Sequence, residues 1–192
     1  MRVIAGTLGR RRLHAPGRTR GLRPTSERVR EALFARLGDV AGLRVLDCFA
    51  GTGALGIEAL SRGAAEAVFL ERASAGLRLL HRNLEELGLR ERSRVVAGDA
   101  LRTIATLARS ESPFDLCFVD PPWKTGLHGP CLAALRGSGV VHAGTVAVVE
   151  CDRRSPLESA SGWTRRSERS YGDTVIAEWV VDGAPADDRE VS

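Results

Sequence analysis

Several features that define common protein classes are missing from this chain of 192 residues. No run approaches the roughly 18 apolar residues that a membrane-spanning helix needs. The first residues lead into an arginine cluster and contain no apolar core of a signal peptide. The four cysteines include no C-x-x-C pair. These absences argue against a membrane protein, a disulfide scaffold and a zinc finger, and we predict a cytoplasmic protein with reduced thiols.

The sequence also contains no set of residues with the spacing of metal ligands and no long exposed apolar stripe. The four histidines, at positions 14, 81, 128 and 142, follow no ligand pattern. We therefore predict no metal site, no membrane partner and a monomer.

Lysine is nearly absent, and arginine is unevenly distributed. Residues 1–36 contain ten arginines and two acids, whereas the remainder contains 18 basic and 22 acidic side chains. Guanidinium groups suit phosphate oxygens, and clustered cations gain affinity for a polyanion through counterion release. The N-terminal segment therefore predicts nucleic-acid binding, with a solvated arginine-rich tail as the alternative. The arginines that carry this prediction are Arg2, Arg10, Arg11, Arg12, Arg18, Arg20 and Arg23.

The hydrophobic pattern predicts an α/β fold. A hairpin in residues 2–14 and a helix ending at Gly38 come first. Apolar strands then alternate with helices from residue 43 to residue 150, which implies a mostly parallel sheet covered on both faces. The last two predicted strands, 163–171 and 174–181, flank Gly172-Asp173 and indicate an antiparallel hairpin.

A glycine-rich loop joins the first predicted strand to its helix. Residues 51–56 match G-x-G-x-x-G in the required strand–turn–helix context. Such a loop lets a ligand approach the backbone at a helix N-terminus, which indicates a Rossmann-like crevice. A dinucleotide and S-adenosylmethionine both fit it, and a tight turn without a ligand is the alternative.

Acids follow three successive predicted strands. Asp47, four residues before Gly51, suits the amino group of S-adenosylmethionine, whereas dinucleotide folds more often have an apolar residue there. Glu71 can accept both ribose hydroxyls of either cofactor, and Asp99-Ala100 can bracket an adenine. Polar helix caps are the alternative for Glu71 and Asp99. Together the three acids favour a nucleoside-binding crevice.

The tetrapeptide Asp120-Pro121-Pro122-Trp123 follows the fourth predicted strand. An exocyclic amine has two hydrogens and needs two acceptors, for which the Asp120 carboxylate and the Pro121 carbonyl are candidates. Holding both hydrogens out of the ring plane favours a tetrahedral nitrogen, whose lone pair can attack a sulfonium methyl group. Trp123 supplies a flat face for a flipped base. The alternative is a rigid turn with a packed tryptophan.

With these motifs the chain resembles class I S-adenosylmethionine-dependent methyltransferases of the amino-methylating (D/N/S)-P-P-(Y/F/W) type. More closely, it resembles the bacterial 16S ribosomal RNA guanine-N2 methyltransferase family, often called RsmD. The resemblance covers nearly the whole chain, and segment 23–34 followed by segment 47–63 is its most specific part.

The resemblance implies methylation of N2 of one guanine in 16S RNA, either naked or in an assembling small subunit. It implies a basic RNA-binding extension in residues 1–38, a methyltransferase domain in 39–183 and a flexible tail in 184–192. Members often carry a polar residue two positions after the acid of the second strand, where this chain has Ala73, so the adenine contacts there stay open. The implied cofactor contacts are Thr25, Asp47, Phe49, Gly51, Gly53, Glu71, Asp99 and Ala100.

Other functions remain as alternatives. The same tetrapeptide serves amino-methylation of adenine or cytosine in DNA or other RNA, although the small size argues against a DNA enzyme with its own target-recognition domain. A non-catalytic RNA-binding assembly factor is disfavoured by the intact Asp120 and glycine loop. A nicotinamide-dependent oxidoreductase is disfavoured by Asp47, the terminal hairpin and the basic extension.

Overall fold

The structure is a computed structural model that describes residues 1–15, 27–122 and 125–183. Helices and strands alternate along most of this part of the chain. In chain order they are α1 (Glu27–Leu37), β1 (Arg44–Asp47), α2 (Ala54–Ser61), β2 (Glu66–Glu71), α3 (Ser74–Glu86), β3 (Ser93–Ala97), α4 (Ala100–Leu107), β4 (Phe114–Val119), α5 (His128–Ser138), β5 (Val141–Asp152), β6 (Trp163–Tyr171) and β7 (Thr174–Val181).

The strands form one sheet in the order β3-β2-β1-β4-β5-β7-β6. Neighbouring strands from β3 to β5 are parallel, while β7 is antiparallel to both β5 and β6. The predicted mostly parallel sheet with a C-terminal antiparallel hairpin is therefore confirmed. Strands β2 and β3 lie on one side of β1, and β4 to β7 lie on the other side.

Helices cover both faces of the sheet, as near-continuous apolar strands require. Helices α1, α2 and α3 share one apolar core, in which Phe34 of α1 lies 5.8 Å from Phe118 of β4 between ring centroids. Helices α4 and α5 pack in a second core on the opposite face. There the indole nitrogen of Trp163 donates a hydrogen bond to the Leu132 carbonyl at 3.1 Å.

Strand β5 extends past residue 150, where the predicted alternation of strands and helices ends. Its pairing with β4 shifts between Phe114–Val141 and Leu116–Val146, so extra residues of β5 bulge out of the ladder. Polar His142 and Gly144, which has φ +89°, lie in this bulge and interrupt the apolar run that marks a strand. The bounds predicted for the last two strands, β6 and β7, match the structure.

The N-terminal segment, residues 1–15, reverses direction but does not form the regular hairpin that the sequence predicts. Its two arms are joined by one isolated antiparallel bridge between Arg2 and Arg12 and by backbone hydrogen bonds, among them Val3 to Arg11 at 2.9 Å. Helix α2 binds further backbone groups of the segment. The carboxylate of Glu58, which has no exposed surface, accepts hydrogen bonds from the amides of Ile4 at 2.7 Å and Ala5 at 3.1 Å.

The turn of the N-terminal segment presses directly on the end of α2. Gly6 has φ +79°, and a Cβ atom there would lie 1.9 Å from the Ser61 carbonyl oxygen. Val3 and Leu13 are buried in the same core as α1 and α2. The segment is thus fixed to the sheet over much of its length, and the division of the chain at residue 38 stays a prediction.

None of the helices in the described ranges is both long and apolar enough to cross a membrane.

Candidate active site

The candidate site lies at the carboxyl edge of the sheet, beside β1. Ligands of open α/β sheets bind outside the carboxyl ends of the strands where the strand order reverses. Here that point lies between β1 and β4, and β2 is the other neighbour of β1. Asp47 ends β1, Glu71 ends β2 and Asp120 follows β4. The structure therefore brings the ends of the three strands that carry these acids to one crevice.

The glycines of the loop have distinct roles. Gly51 has φ +55°, and no atom lies within 4 Å of the Cβ position, so this part of the loop borders open space. Gly53 has φ +80°, and a Cβ atom there would meet Leu80 at 2.5 Å. A Cβ atom at Gly56 would meet the Phe69 ring at 2.3 Å. Gly51 thus leaves room for a ligand, whereas Gly53 and Gly56 let α2 pack closely on its neighbours.

Asp47 is a buried carboxylate at the base of this loop, with 3% of its surface exposed. Its Oδ2 accepts a hydrogen bond from the Gly56 amide at 3.2 Å. The pKa of Asp47 is raised to about 7, chiefly by burial and to a smaller extent by the nearby Glu71, while hydrogen bonds from the Gly56 and Phe49 amides act in the opposite direction. A cationic group placed beside Asp47 would restore the ionised form, which is the property expected of an ammonium-binding residue.

Glu71 connects β2 to the glycine loop. Its Oε2 accepts a hydrogen bond from the Gly51 amide at 2.7 Å, and its Oε1 accepts one from Ala73 at 2.6 Å. A carboxylate has about four acceptor positions, so capacity remains for ribose hydroxyls. Gly76 makes room for this side chain, since a Cβ atom there would lie 2.9 Å from the Glu71 carboxyl carbon.

Asp99 is the N-cap of α4. Its side chain accepts a hydrogen bond from the Arg102 amide at 3.3 Å, which is the capping role that the sequence left open. The guanidinium of Arg72 lies 4.0 Å from the same carboxylate. Ala100 is buried at the start of the helix. An additional contact of Asp99 and Ala100 with adenine stays a prediction.

The tetrapeptide that begins at Asp120 lies between the ends of β1 and β5. Asp120 is half-buried, Pro121 is buried and Pro122 is exposed. The amide and hydroxyl of Thr125 both donate to the Pro122 carbonyl, at 3.3 and 2.7 Å. Within residues 1–15, 27–122 and 125–183, no hydrogen bond to the Pro121 carbonyl is found. Trp123 lies outside the described residues.

The predicted RNA-binding arginines fall into three groups. Arg10 and Arg12 are exposed and have no acidic partner among the described residues. Arg2 donates to Glu27 at 2.9 Å, and Arg11 donates to the Glu86 carbonyl at 2.9 Å. Outside the described residues lie Arg18, Arg20 and Arg23, together with Thr25 and residues 184–192.

Two further polar residues, Glu150 and Asn83, lie near the site and are not among the predicted site residues. Glu150 is 7% exposed at the end of β5, and the pairing of Val119 with Val149 places it close to Asp120 in the sheet. An acid after an apolar strand is the same signal that identified Asp47 and Glu71, so this residue was predictable. Asn83 on α3 contacts the glycine loop, and no pattern in the sequence signals that contact.

Comparison with known proteins identifies the family. The family model described as Conserved hypothetical protein 95 matches residues 1–180. The chain belongs to this family. Ribosomal RNA small subunit methyltransferase D of Escherichia coli strain K12 is 37% identical over 177 residues, which is 91% of this chain and 87% of that protein. The protein of the same name from Haemophilus influenzae is 32% identical over 173 residues, 90% of this chain and 89% of that protein.

Solved structures agree with this assignment. The candidate methyltransferase yhhF of Escherichia coli superposes with a TM-score of 0.82 at 34% identity, covering 96% of this chain and 99% of that one. The candidate methylase HI0767 of Haemophilus influenzae gives a TM-score of 0.78 at 28% identity, covering 94% and 98%. The family member described here is an S-adenosylmethionine-dependent methyltransferase.

Proposed function

We propose that this methyltransferase modifies the exocyclic N2 amine of a guanine in small-subunit ribosomal RNA, acting as a monomer in the cytoplasm. The proposal rests on the pairing of β1 with β4, because Asp47 ends β1 and Asp120 follows β4 at the same edge of the sheet. An amine-binding turn and an ammonium-binding carboxylate then share one crevice at the sheet edge. The names of the relatives from two bacteria supply the substrate class.

The residues of the crevice fit S-adenosylmethionine. Asp47 offers a buried carboxylate to an ammonium group, and the open space at Gly51 admits a ligand close to the backbone. When bound, the cofactor supplies an electrophilic methyl group on a sulfonium. We assign its binding to Asp47, Phe49, Gly51, Gly53, Glu71, Asp99 and Ala100, with Thr25 as a further contact.

The catalytic contribution of this chain is to hold and polarise the amine. The Asp120 carboxylate and the Pro121 carbonyl accept its two hydrogens, which aligns the nitrogen lone pair for in-line displacement. As positive charge develops on the nitrogen, Asp120 stabilises it. The alkylated nitrogen becomes acidic, so the proton leaves without a strong base. Pro122 stiffens the turn, and Trp123 is assigned to stack on the target base.

The N-terminal segment is the proposed RNA-binding surface. Its exposed arginines lie on backbone that is fixed to α2 by Glu58. A fixed cationic surface loses little conformational freedom on binding, which favours association with phosphates. We propose the same role for Arg18, Arg20 and Arg23, and we retain residues 1–38 as the RNA-binding extension of a methyltransferase domain in residues 39–183.

The proposed function is tested by transfer of a labelled methyl group from S-adenosylmethionine. The acceptors are unmethylated small subunits, naked 16S RNA and duplex DNA, and the modified nucleoside is identified by mass. We expect N2-methylguanosine in RNA. Label in adenosine, cytidine or DNA would instead identify the alternative amino-methyltransferase. Cofactor binding without methylation of any acceptor would contradict the proposal and favour an RNA-binding assembly factor.

Arg10 offers a separate test of the RNA-binding surface, because its backbone is strained. Among the described residues, Arg10 is the only residue other than glycine that has a positive φ, at 70°. In Arg10→Gly, relief of about 1 kcal/mol of strain offsets the glycine entropy cost of about 0.5–1 kcal/mol. We expect unchanged stability in urea, together with RNA affinity lowered about threefold to tenfold and a salt slope reduced by about one.

The controls separate charge from position. Arg10→Lys retains the cation, so the salt slope of RNA binding should stay near that of the wild type. Arg109→Ala removes an exposed arginine at the end of α4, on the opposite face of the sheet, and should leave RNA binding unchanged. Equal losses in Arg10→Gly and Arg109→Ala would show that only net charge matters and that the segment has no special role.

A further inference from the structure

Asn83 of α3 connects the N-terminal segment to the glycine loop. Its side chain is buried, with 1% of its surface exposed. Its Oδ1 accepts a hydrogen bond from the His14 amide at 2.7 Å, and its Nδ2 donates to the His14 carbonyl at 3.1 Å. The same Nδ2 donates to the Thr52 carbonyl at 2.9 Å. One planar amide thus holds both backbone groups of His14 and one backbone group of the loop.

We propose that Asn83 is a positioning residue that couples RNA binding on the N-terminal segment to cofactor binding at the glycine loop. This inference rests on the proposed function. It assigns a route by which the two substrates of the reaction affect each other's affinity. No other side chain of the described residues hydrogen-bonds to both the N-terminal segment and the glycine loop.

The loop side of the connection is suited to transmit a displacement. Thr52 lies between Gly51 and Gly53, which have φ values of +55° and +80°. The Thr52 carbonyl belongs to the peptide group that precedes Gly53, and glycine allows a wider range of backbone angles than other residues. Glu71 holds the Gly51 amide, and Asn83 holds the Thr52 carbonyl. The orientation of the loop backbone therefore depends on where the Asn83 amide is placed.

The N-terminal segment, on which RNA is proposed to bind, contacts the end of α3 close to Asn83. Arg11, three residues before His14, donates to the Glu86 carbonyl at the end of α3, and the His14 ring lies 2.8 Å from the Glu86 carboxylate. A phosphate that draws the Arg11 guanidinium toward it would weaken the hydrogen bond to the Glu86 carbonyl. Any resulting shift of His14 must move the Asn83 amide or break a buried hydrogen bond, and the second outcome is the unfavourable one.

The test compares the affinity for S-adenosylhomocysteine with and without saturating unmethylated 16S RNA. In the wild type we expect the affinity for the product to differ at least about fivefold between the RNA-bound and the RNA-free protein. In Asn83→Leu, which removes all three hydrogen bonds at similar volume, we expect a ratio near one. Reciprocity requires that the effect of the product on RNA affinity be lost to the same extent.

Ser61→Ala is the matched control. Ser61 holds the N-terminal segment through its hydroxyl, which accepts from the Leu8 amide at 3.0 Å and donates to the Ala5 carbonyl at 2.5 Å, but it does not contact the loop. We expect weaker RNA binding in this variant, with the wild-type affinity ratio retained at saturating RNA. If Asn83 only anchored the segment, Asn83→Leu would also retain the ratio, and the proposal would be overturned.

A second measurement needs no variant. Amide hydrogen exchange of the glycine loop in the wild type should change when RNA binds, because a shift of His14 moves the Asn83 amide that holds the Thr52 carbonyl. Unchanged exchange, or a wild-type affinity ratio near one, would refute the coupling. In either case formation of N2-methylguanosine would leave the proposed function standing. Absence of both RNA binding and methylation would remove both proposals.

Discussion

Replacing Asp120 by alanine is expected to lower the turnover number for methyl transfer by about a hundredfold to a thousandfold. The carboxylate is one of two acceptors for the amine hydrogens and carries the charge that stabilises the developing cation. The variant should still bind S-adenosylhomocysteine, because the residues assigned to the cofactor lie at the ends of β1 and β2 and after β3. Single-turnover kinetics of methyl transfer, combined with calorimetric binding of the product, separates the two effects.

Two further variants sharpen this result. Asp120→Asn retains an acceptor oxygen but loses the charge, so its turnover should lie between those of the wild type and Asp120→Ala. Asp115→Asn removes a carboxylate from the opposite end of the same strand, where Asp115 accepts from the Arg44 amide at 2.7 Å. It should retain turnover, because it is remote from the crevice. Near-normal turnover of Asp120→Ala with unchanged product affinity would contradict the assigned role.

Much of the fold is predictable from the sequence because its signals are local. The apolar run of β4 is followed at once by prolines, and β6 and β7 flank Gly172-Asp173, so the ends of these strands are marked in the sequence. The same logic identified Asp47, Glu71 and Asp120, since the carboxyl ends of parallel strands meet at one edge of the sheet. The start of β5 is not marked in this way, because the bulge there is polar.

Other features could not be predicted because they depend on contacts between distant parts of the chain. Glu58 occupies a helix position where a charged side chain is usually solvated, yet it is fully buried and holds residues 53 and 54 positions away. Asn83 reaches His14 across 69 positions. Arg30 is likewise buried, and its guanidinium donates to the Arg2 carbonyl at 2.7 Å. Nothing in the local pattern distinguishes these residues from a polar helix surface.

The buried helix side chains explain how a short basic segment lies in a fixed position without strands of its own. Glu58 and Asn83 bind backbone amides and carbonyls that a second strand would otherwise pair. Buried backbone groups need such partners. The arginines on the outer side of the segment are then free of that task, so the surface assigned to RNA and the crevice assigned to chemistry share one rigid support.

Cofactor affinity is expected to depend on pH through Asp47. Burial raises the pKa of this residue to about 7, so below that pH the carboxyl of the free protein is neutral and attracts an ammonium group weakly. Bound ammonium favours the ionised form, and binding therefore releases a proton. Between pH 8 and pH 6 we expect the dissociation constant of S-adenosylhomocysteine to rise by roughly a factor of ten. Calorimetry in buffers of different ionisation enthalpy would measure both the affinity and the released proton.

The variant Asp47→Asn separates the titration of Asp47 from that of other groups. At pH 8 it is expected to weaken product binding and to increase stability. The variant should bind the product more weakly at pH 8, and its dissociation constant should change little with pH.

The effect on stability follows from the same pKa, because the folded-state pKa of Asp47 lies above its ordinary value of 3.8. Its contribution to stability is therefore fully present below about pH 4 and is lost as the pH rises through about 7. At pH 8 the neutral asparagine avoids a buried charge, so Asp47→Asn should unfold at higher urea than the cofactor-free wild type. Weaker binding together with lower stability would instead indicate that the substitution simply damages the fold.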